Sequence, residues 1–338
     1  MTRRFLITGA QGFIGRYLVA HLLDRFPDSA ALGLGRSPRQ DETFLHYVTY
    51  QDRPTRGSLP EYLRNLNADR YSYVSCDLSS SKLAGVIQQF NPTAVVHLAA
   101  SLRGISEEIV SENNVRGTEG LLSSLRESGV EVCLLLFAST GGVYGRQQCL
   151  PIPETAPVRP INLYSRSKLT CESLVHSFSV QTGIPIAIGR VFNVFGPGQD
   201  EFHFAGRITG QIAAILAGKS TSTVRAGPLS GTRDFLDVRD VCSGISTVLE
   251  QNLAGVCNIA SGVETRVGNL LNLLLQAAGL ENTVQIVQET VRPDPIPRHF
   301  ANIDRLANVG FVPRHPIAKT CRDMLSYHSR LTYGRSPA

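Results

Sequence analysis

Two patterns in the chain predict an α/β fold built on a doubly wound parallel sheet. Short uncharged apolar runs alternate with amphipathic stretches, and a glycine-rich turn joins the first run to the first helix. A third observation, a change of texture after about Phe192 to a segment rich in Gly, Thr and Arg, predicts a smaller C-terminal α/β lobe. Taken in order, Arg4–Thr8 reads as strand one and Phe13–Arg25 as its helix. Residues 31–34, 71–75, 94–98 and 132–138 read as strands two to five, with the few charges that strands covered on both faces carry. Residues 36–70 are polar, hold Pro38, Pro54 and Pro60, and exceed an ordinary connection, so they read as a loop with one short helix at 59–66. Later elements are a strand at 256–259, a helix over Val267–Ala278, and a loop rich in Pro and Arg at 290–300. Residues 1–192 with a return segment 236–262 are expected to form the sheet domain, and 193–235 with 263–338 the substrate-binding lobe.

Composition excludes several classes. Hydrophobic residues make up 42% of the 338 and charged residues 18%, a globular balance. No apolar run approaches the ~18 residues of a membrane span. The first strand begins at Arg4, which leaves no room for a signal peptide and makes a cytoplasmic protein the expectation. The seven cysteines have no CxxC spacing and read as reduced thiols, and the eight histidines form no cluster, so no metal site is expected. The net charge is +5 and the pI about 8.9, yet only Lys82, Lys168, Lys219 and Lys319 of the 33 basic residues are lysines. With no basic block, the balance suits a small anionic ligand rather than nucleic acid.

The strongest local signal is Thr8-Gly9-Ala10-Gln11-Gly12-Phe13-Ile14-Gly15, which leaves a strand and opens a helix. Gly9 allows the tight turn, Gly12 lets backbone approach a pyrophosphate, and Gly15 packs the helix close to the sheet, while the helix N-terminus attracts the anion. This is a Rossmann-type dinucleotide site with one extra residue in its spacing. Its cofactor form is set at the end of strand two, where an acid would bond a ribose 2′-hydroxyl. There the chain has Gly35-Arg36-Ser37 and no carboxylate until Asp41. Arg36 and Ser37 fit a 2′-phosphate, pointing to NADP(H) with NAD(H) as the alternative; otherwise Arg36 is a solvated loop residue. Tyr164 and Lys168 stand four apart, on one face of a helix, where a lysine lowers a phenol's pKa and makes it a proton donor or acceptor. Strand five runs into Ser139-Thr140-Gly141-Gly142, which presents the Thr140 hydroxyl where open α/β sheets bind ligands.

Together these residues resemble the extended short-chain dehydrogenases/reductases, the NAD-dependent epimerase/dehydratase family. Asp77-Leu78, His97-Leu98-Ala99-Ala100, Asn114-Val115-Arg116-Gly117-Thr118 and Arg159-Pro160 continue the likeness, as do the stretches 190–199, 233–240, 258–262 and 292–294. The resemblance implies a catalytic set of Thr140, Tyr164 and Lys168. It also implies cofactor contacts from Asp77, Leu78, Leu98, Ala99, Ala100, Asn114, Tyr164 and Lys168, the last on the nicotinamide ribose, beside Gly9, Gln11, Gly12, Phe13, Ile14, Gly15, Arg36 and Ser37. Asn193, Arg233 and Arg292 would contact the diphosphate of a nucleotide sugar, and two Arg forks suit that group. The family's 4,6-dehydratases carry an acid directly after the catalytic Thr; here Gly141 and Gly142 stand there, which argues against dehydration. The remaining pattern is most similar to the branch that reduces GDP-4-keto-6-deoxy-mannose, with nucleotide-sugar 4-epimerases the alternative and a non-catalytic dinucleotide-binding protein a more distant one. Relatives of this kind imply a homodimer through the helices that follow strands four and five.

Overall fold

The computed structural model describes residues 3–39, 43–48, 53–60, 63, 69–101, 106–289 and 296–333. The uncharged runs become strands β1 (Arg4–Thr8), β2 (Ala30–Gly35), β5 (Tyr71–Ser75), β6 (Ala94–His97), β7 (Leu134–Thr140), β8 (Ile186–Val191) and β13 (Gly255–Ile259). All seven lie in one parallel sheet in the order β13-β8-β7-β6-β1-β2-β5. The chain winds outward from β1 to β5, then returns to β6 on the other side of β1. That reversal leaves a crevice at the carboxyl ends of β1 and β6, where ligands of such sheets bind.

Helices cover both faces, as a parallel sheet requires. On one side α1 (Phe13–Arg25) packs on α6 (Val238–Glu250), burying Leu18, Leu22, Val241, Ile245 and Val248 with the sheet. On the other, α3 (Glu107–Ser128) lies between α2 (Leu83–Phe90) and α4 (Leu163–Thr182), over Val95, Leu135 and Phe137. A separate core of Ile208, Ile212, Leu270, Leu271, Leu274 and Met324 gathers α5 (Phe204–Leu216), α7 (Val267–Ala278) and α9 (Ile317–Tyr333). Beside it run a parallel pair, β10 (Thr223–Ala226) with β15 (Gln285–Gln288), and the short α8 (Asp304–Ala307). Two small assemblies join the halves. β9 (Asn193–Phe195) pairs with β12 (Phe235–Asp237), and β11 (Thr232–Arg233) is flanked by β14 (Thr265–Arg266) and β16 (Arg298–His299).

Three expectations change. Residues 36–70 are not one loop: β3 (Thr43–Val48) and β4 (Arg53–Ser58) pair antiparallel. Thr43-Phe44-Leu45 and Tyr47-Val48 are β-branched, aromatic and aliphatic, a strand signal that the prolines and charges of the segment obscured. The short helix at 59–66 falls mostly outside the described residues. Strand five runs two residues further than expected because Ser139 and Thr140, though polar, continue the ladder against Arg190 and Val191. The loop at 290–300 contains a strand, since Thr232 and Arg233 pair with Arg298 and His299; residues 290–295 lie outside the described residues. All seven cysteines are free thiols, and no described helix is long and apolar enough to cross a membrane.

Candidate active site

The site opens at the crevice between β1 and β6. Gly9 sits at φ +71°, and a Cβ there would stand 2.9 Å from the Ala99 nitrogen, so the turn needs glycine on both counts. A Cβ on Gly15 would stand 2.1 Å from the Gly9 oxygen, which fixes how closely α1 packs under the turn. Gly12 is the N-cap of α1 in an extended conformation and supplies no side chain to the helix amides. The first turn of α1 therefore offers its N–H groups and dipole to an anion, and the cradle fits a dinucleotide pyrophosphate. Gln11 holds Arg16 of the same turn, its carbonyl accepting from Arg16 Nε at 3.2 Å.

The side expected to take the adenine is assembled at the ends of β2 and β5. Arg36 is exposed and donates to Ser101 Oγ at 3.2 Å, and Ser101 is held by Asn114, whose Oδ1 accepts from the Ser101 amide at 2.6 Å. Asn114 Nδ2 donates in turn to the Ser101 carbonyl and to Ser167 Oγ, tying this edge to α4. Asp77 accepts from the Ser79 amide and hydroxyl, and these bonds, with Arg36 and Arg116 nearby, hold its carboxyl below the usual range. Ala99 donates its amide to Thr8 Oγ1 at 3.1 Å, and Leu98 its amide to the Thr8 carbonyl. Between them His97 is fully enclosed, with Nδ1 2.7 Å from Thr8 Oγ1 and Nε2 3.1 Å from Thr118 Oγ1. Burial, with Lys168 adding to it, pushes His97 down to about 3, so it stays neutral.

Thr140 ends β7, and its Oγ1 accepts from the Gly142 amide at 3.1 Å. With its oxygen so engaged, the hydroxyl has its proton left to donate. Asn162 caps α4 by accepting from the Ser165 amide, which starts the helix so that Tyr164 and Lys168 fall in its first two turns. Lys168 is buried, with Nζ 4.1 Å from the centroid of the Phe137 ring; burial lowers it to about 8 against the opposing pull of Cys171 and Glu172. The expectation that Lys168 lowers the phenol is corrected here. Burial, reinforced by Cys171, raises Tyr164 to about 12, and the lysine's charge faces the Phe137 ring.

Behind this set lies a buried ion pair that the sequence did not single out. Arg190 meets Glu172 through Nη2–Oε2 at 2.7 Å and Nε–Oε1 at 3.1 Å, and the Ser139 hydroxyl donates to the same carboxylate. Glu172 lies four residues beyond Lys168 on the same helical face, a signal that was available. Around the catalytic turn the space is full. A Cβ on Gly141 would stand 2.9 Å from two atoms of the Phe192 ring, and one on Gly142 would stand 2.5 Å from Ser165 Oγ.

On the other side of the site, Asn193 Nδ2 donates to the Asp234 carbonyl at 3.1 Å. Arg233 Nη1 donates to the carbonyls of Thr232 and Ile296, each at 2.8 Å. The structure thus brings Asn193 and Arg233 together, while Arg292 lies outside the described residues. Arg207, in the first turn of α5, has a buried Nε that meets no hydrogen-bond partner among the described residues. No cluster of metal-ligating side chains occurs among the described residues.

A glycine cradle at the crossover of a parallel sheet, with a Thr hydroxyl and a Tyr–Lys helix beside it, defines a dinucleotide-dependent class of enzyme. The chain belongs to the NAD dependent epimerase/dehydratase family, whose sequence model matches residues 5–260. It is 30% identical over 301 residues to the GDP-6-deoxy-D-mannose reductase of Pseudomonas aeruginosa, covering 86% of this chain and 85% of that protein. The structure of RMD from Pseudomonas aeruginosa complexed with NADPH is similar at a TM-score of 0.77 and 26% identity, with 97% and 99% of the two chains covered. The UDP-glucose 4-epimerase of Thermus thermophilus complexed with NAD is similar at a TM-score of 0.76 and 26% identity, with 96% and 98% covered.

Proposed function

We propose that the protein is an NADPH-dependent reductase of a 4-keto-6-deoxy nucleotide sugar. The observation that carries the cofactor half is the end of β2, where Arg36 stands in place of a carboxylate and reaches across to Ser101. A diffusible phosphorylated reductant suits net reduction better than the retained cofactor of an epimerase does. Dehydration lacks its acid, and Phe192 and Ser165 occupy the room that side chains at 141 and 142 would need. The likeness to a GDP-6-deoxy-D-mannose reductase supports the same reading.

Bound NADPH would supply the hydride. The chain's own part is to bind, orient and move a proton. Thr140 donates to the keto oxygen, its own oxygen being held by the Gly142 amide. Tyr164, raised to about 12, is protonated at neutral pH and hands its proton to that oxygen as negative charge develops. Lys168, at about 8 and so largely charged at neutral pH, would hold the nicotinamide ribose. Asn193 and Arg233, with Arg292, would face the nucleotide diphosphate from 193–235 and 263–338, the two segments of the substrate lobe. We further propose a homodimer through α3 and α4, which expose Ile109 and Val180; a monomeric mass at micromolar concentration would exclude it.

The test is turnover of NADPH and NADH with GDP-, dTDP-, UDP- and CDP-linked 4-keto-6-deoxy sugars, repeated with Arg36→Asp. The variant should weaken NADPH binding by roughly 1–3 kcal/mol, because an attraction to a dianion becomes a repulsion. Equal affinity of the wild type for NADH defeats the NADPH assignment. A cofactor that co-purifies and returns to its starting redox state while the C4 configuration inverts makes the protein an epimerase instead.

A further inference from the structure

We infer that His299 is a positioning residue, which sets the Thr140 hydroxyl from the strand that also holds Arg233. The inference rests on the reading above only in taking Thr140 as the catalytic hydroxyl. His299 ends β16, is 6% exposed, and places Nε2 3.1 Å from the Gly141 carbonyl oxygen. A carbonyl only accepts, so Nε2 carries the proton and donates. The imidazole also stacks on Phe192, with centroids 4.8 Å apart and planes 30° apart. Phe192 is the ring that fills the space over Gly141. Gly141 is therefore gripped through its carbonyl by the imidazole and over its Cα by the ring on which that imidazole rests.

Gly141 lies between Thr140 and the Gly142 amide that Thr140 Oγ1 accepts from. Whatever fixes the Gly141 peptide fixes that hydrogen bond, and with it the direction of the hydroxyl proton. The other end of the connection runs to the substrate side. Arg233 pairs with His299 in the β11–β16 ladder, and the Asp234 amide donates to the His299 carbonyl at 3.0 Å. Arg233 Nη1 reaches Ile296, three residues ahead of His299 on the same segment. A group that draws Arg233 into place therefore also seats the strand whose terminal imidazole holds the catalytic turn. Binding of the distant diphosphate would then be expressed partly in kcat, as happens when remote contacts serve the reacting centre. A histidine that merely filled the core would affect stability and leave the turn's local order and kcat alone.

Two variants separate these roles. His299→Phe keeps a ring against Phe192 and removes the donor, and His299→Gln keeps a donor. Hydrogen exchange read by mass spectrometry over residues 139–145 should quicken about tenfold in His299→Phe, the cost of one lost buried hydrogen bond. Exchange in His299→Gln should stay near wild type, and residues 4–25 should exchange as before in both. In turnover, His299→Phe should lower kcat by about tenfold with NADPH affinity unchanged, and His299→Gln should restore most of it. Combined with Thr140→Val, His299→Phe should cost little more than Thr140→Val alone. Unaltered exchange over 139–145 in His299→Phe, or fully additive losses with Thr140→Val, overturns the inference. If the wild type turns over no nucleotide sugar, the proposed function fails, and the exchange measurement still decides the role of His299.

Discussion

The glycine turn at residues 9–15 closes partly within itself and partly on Leu34 of β2, whereas the knot around Asp234 is closed entirely by residues 27 to 67 positions away. In the turn, the Gly12 amide donates to the Gly9 carbonyl and the Arg16 amide to the Gly12 carbonyl. In the knot, fully buried Asp234 accepts from the Ser261 amide and hydroxyl at 2.7 and 2.6 Å, from the Gly262 amide at 2.9 Å and from the Ala301 amide at 3.3 Å. The inner bonds of the turn join near neighbours, while the Gly9 and Ala10 amides donate to the Leu34 carbonyl. The knot exists only once three distant segments have met, after their loop-closure entropy has been overcome. The glycine turn is thus a partly local structure resting on the sheet, and the Asp234 knot is a wholly tertiary one held by a few buried polar groups.

The difference makes measurable claims. The largest effect belongs to the tertiary bonds behind the catalytic turn: Glu172→Ala leaves Arg190 buried without its carboxylate and should cost about 3–5 kcal/mol in stability. Chemical denaturation of that variant checks it, and a loss below about 1 kcal/mol would mean that the ion pair is not what joins α4 to β8. Next, Tyr164→Phe should lower kcat by roughly 10²-fold while cofactor affinity stays within a few-fold, because the glycine turn does not depend on the phenol. Steady-state kinetics with NADPH titrations separate the two, and near-normal turnover would remove Tyr164 from the proton path. Third, Arg233→Ala should raise the KM for the sugar nucleotide by on the order of 2 kcal/mol with NADPH binding unmoved. Adding Arg292→Ala should cost less than a second equal step if both arginines grip one diphosphate. Unchanged KM in both single variants would mean a small uncharged carbonyl substrate.

A final effect, graded with conditions rather than fixed, is on pH dependence. His97 is held neutral down to about 3, against 6.5 when unfolded. Between those values the unfolded chain binds the extra proton, so this group's contribution to stability is present above pH 6.5 and is lost as pH falls toward 3. The slope cannot exceed about 1.4 kcal/mol per pH unit from one group. His97→Gln should flatten the stability profile between about pH 6.5 and 4 relative to the wild type, and parallel profiles would show that His97 does not titrate on unfolding.

The same contrast explains what could be read from residues alone. Phe13–Arg25 and Val267–Ala278 coincide with the helices found, and β1 and β5 with the strands, because apolar spacing and end signals are local. The glycine turn and the Tyr164–Lys168 spacing were legible for the same reason. His299 and Phe192 meet partners far along the chain, such as Gly141 at a separation of 158 residues for His299, and no period or spacing encodes that. The raised Tyr164 was misjudged because a one-turn spacing gives the distance to Lys168 but not the burial, which dominates.

Phe192 over Gly141 also bears on how such an enzyme could change its chemistry over evolutionary time. A glycine codon becomes an aspartate or glutamate codon by altering its middle base, so the acid that dehydration requires lies a short mutational step away. In this chain the new side chain would meet the Phe192 ring before it met a substrate, and the ring is backed by His299. The ring must shrink or shift first, in a mutation that by itself loosens the catalytic turn and gains nothing. The aromatic pair would therefore act as an epistatic barrier to an acid at position 141 in a lineage that carries it.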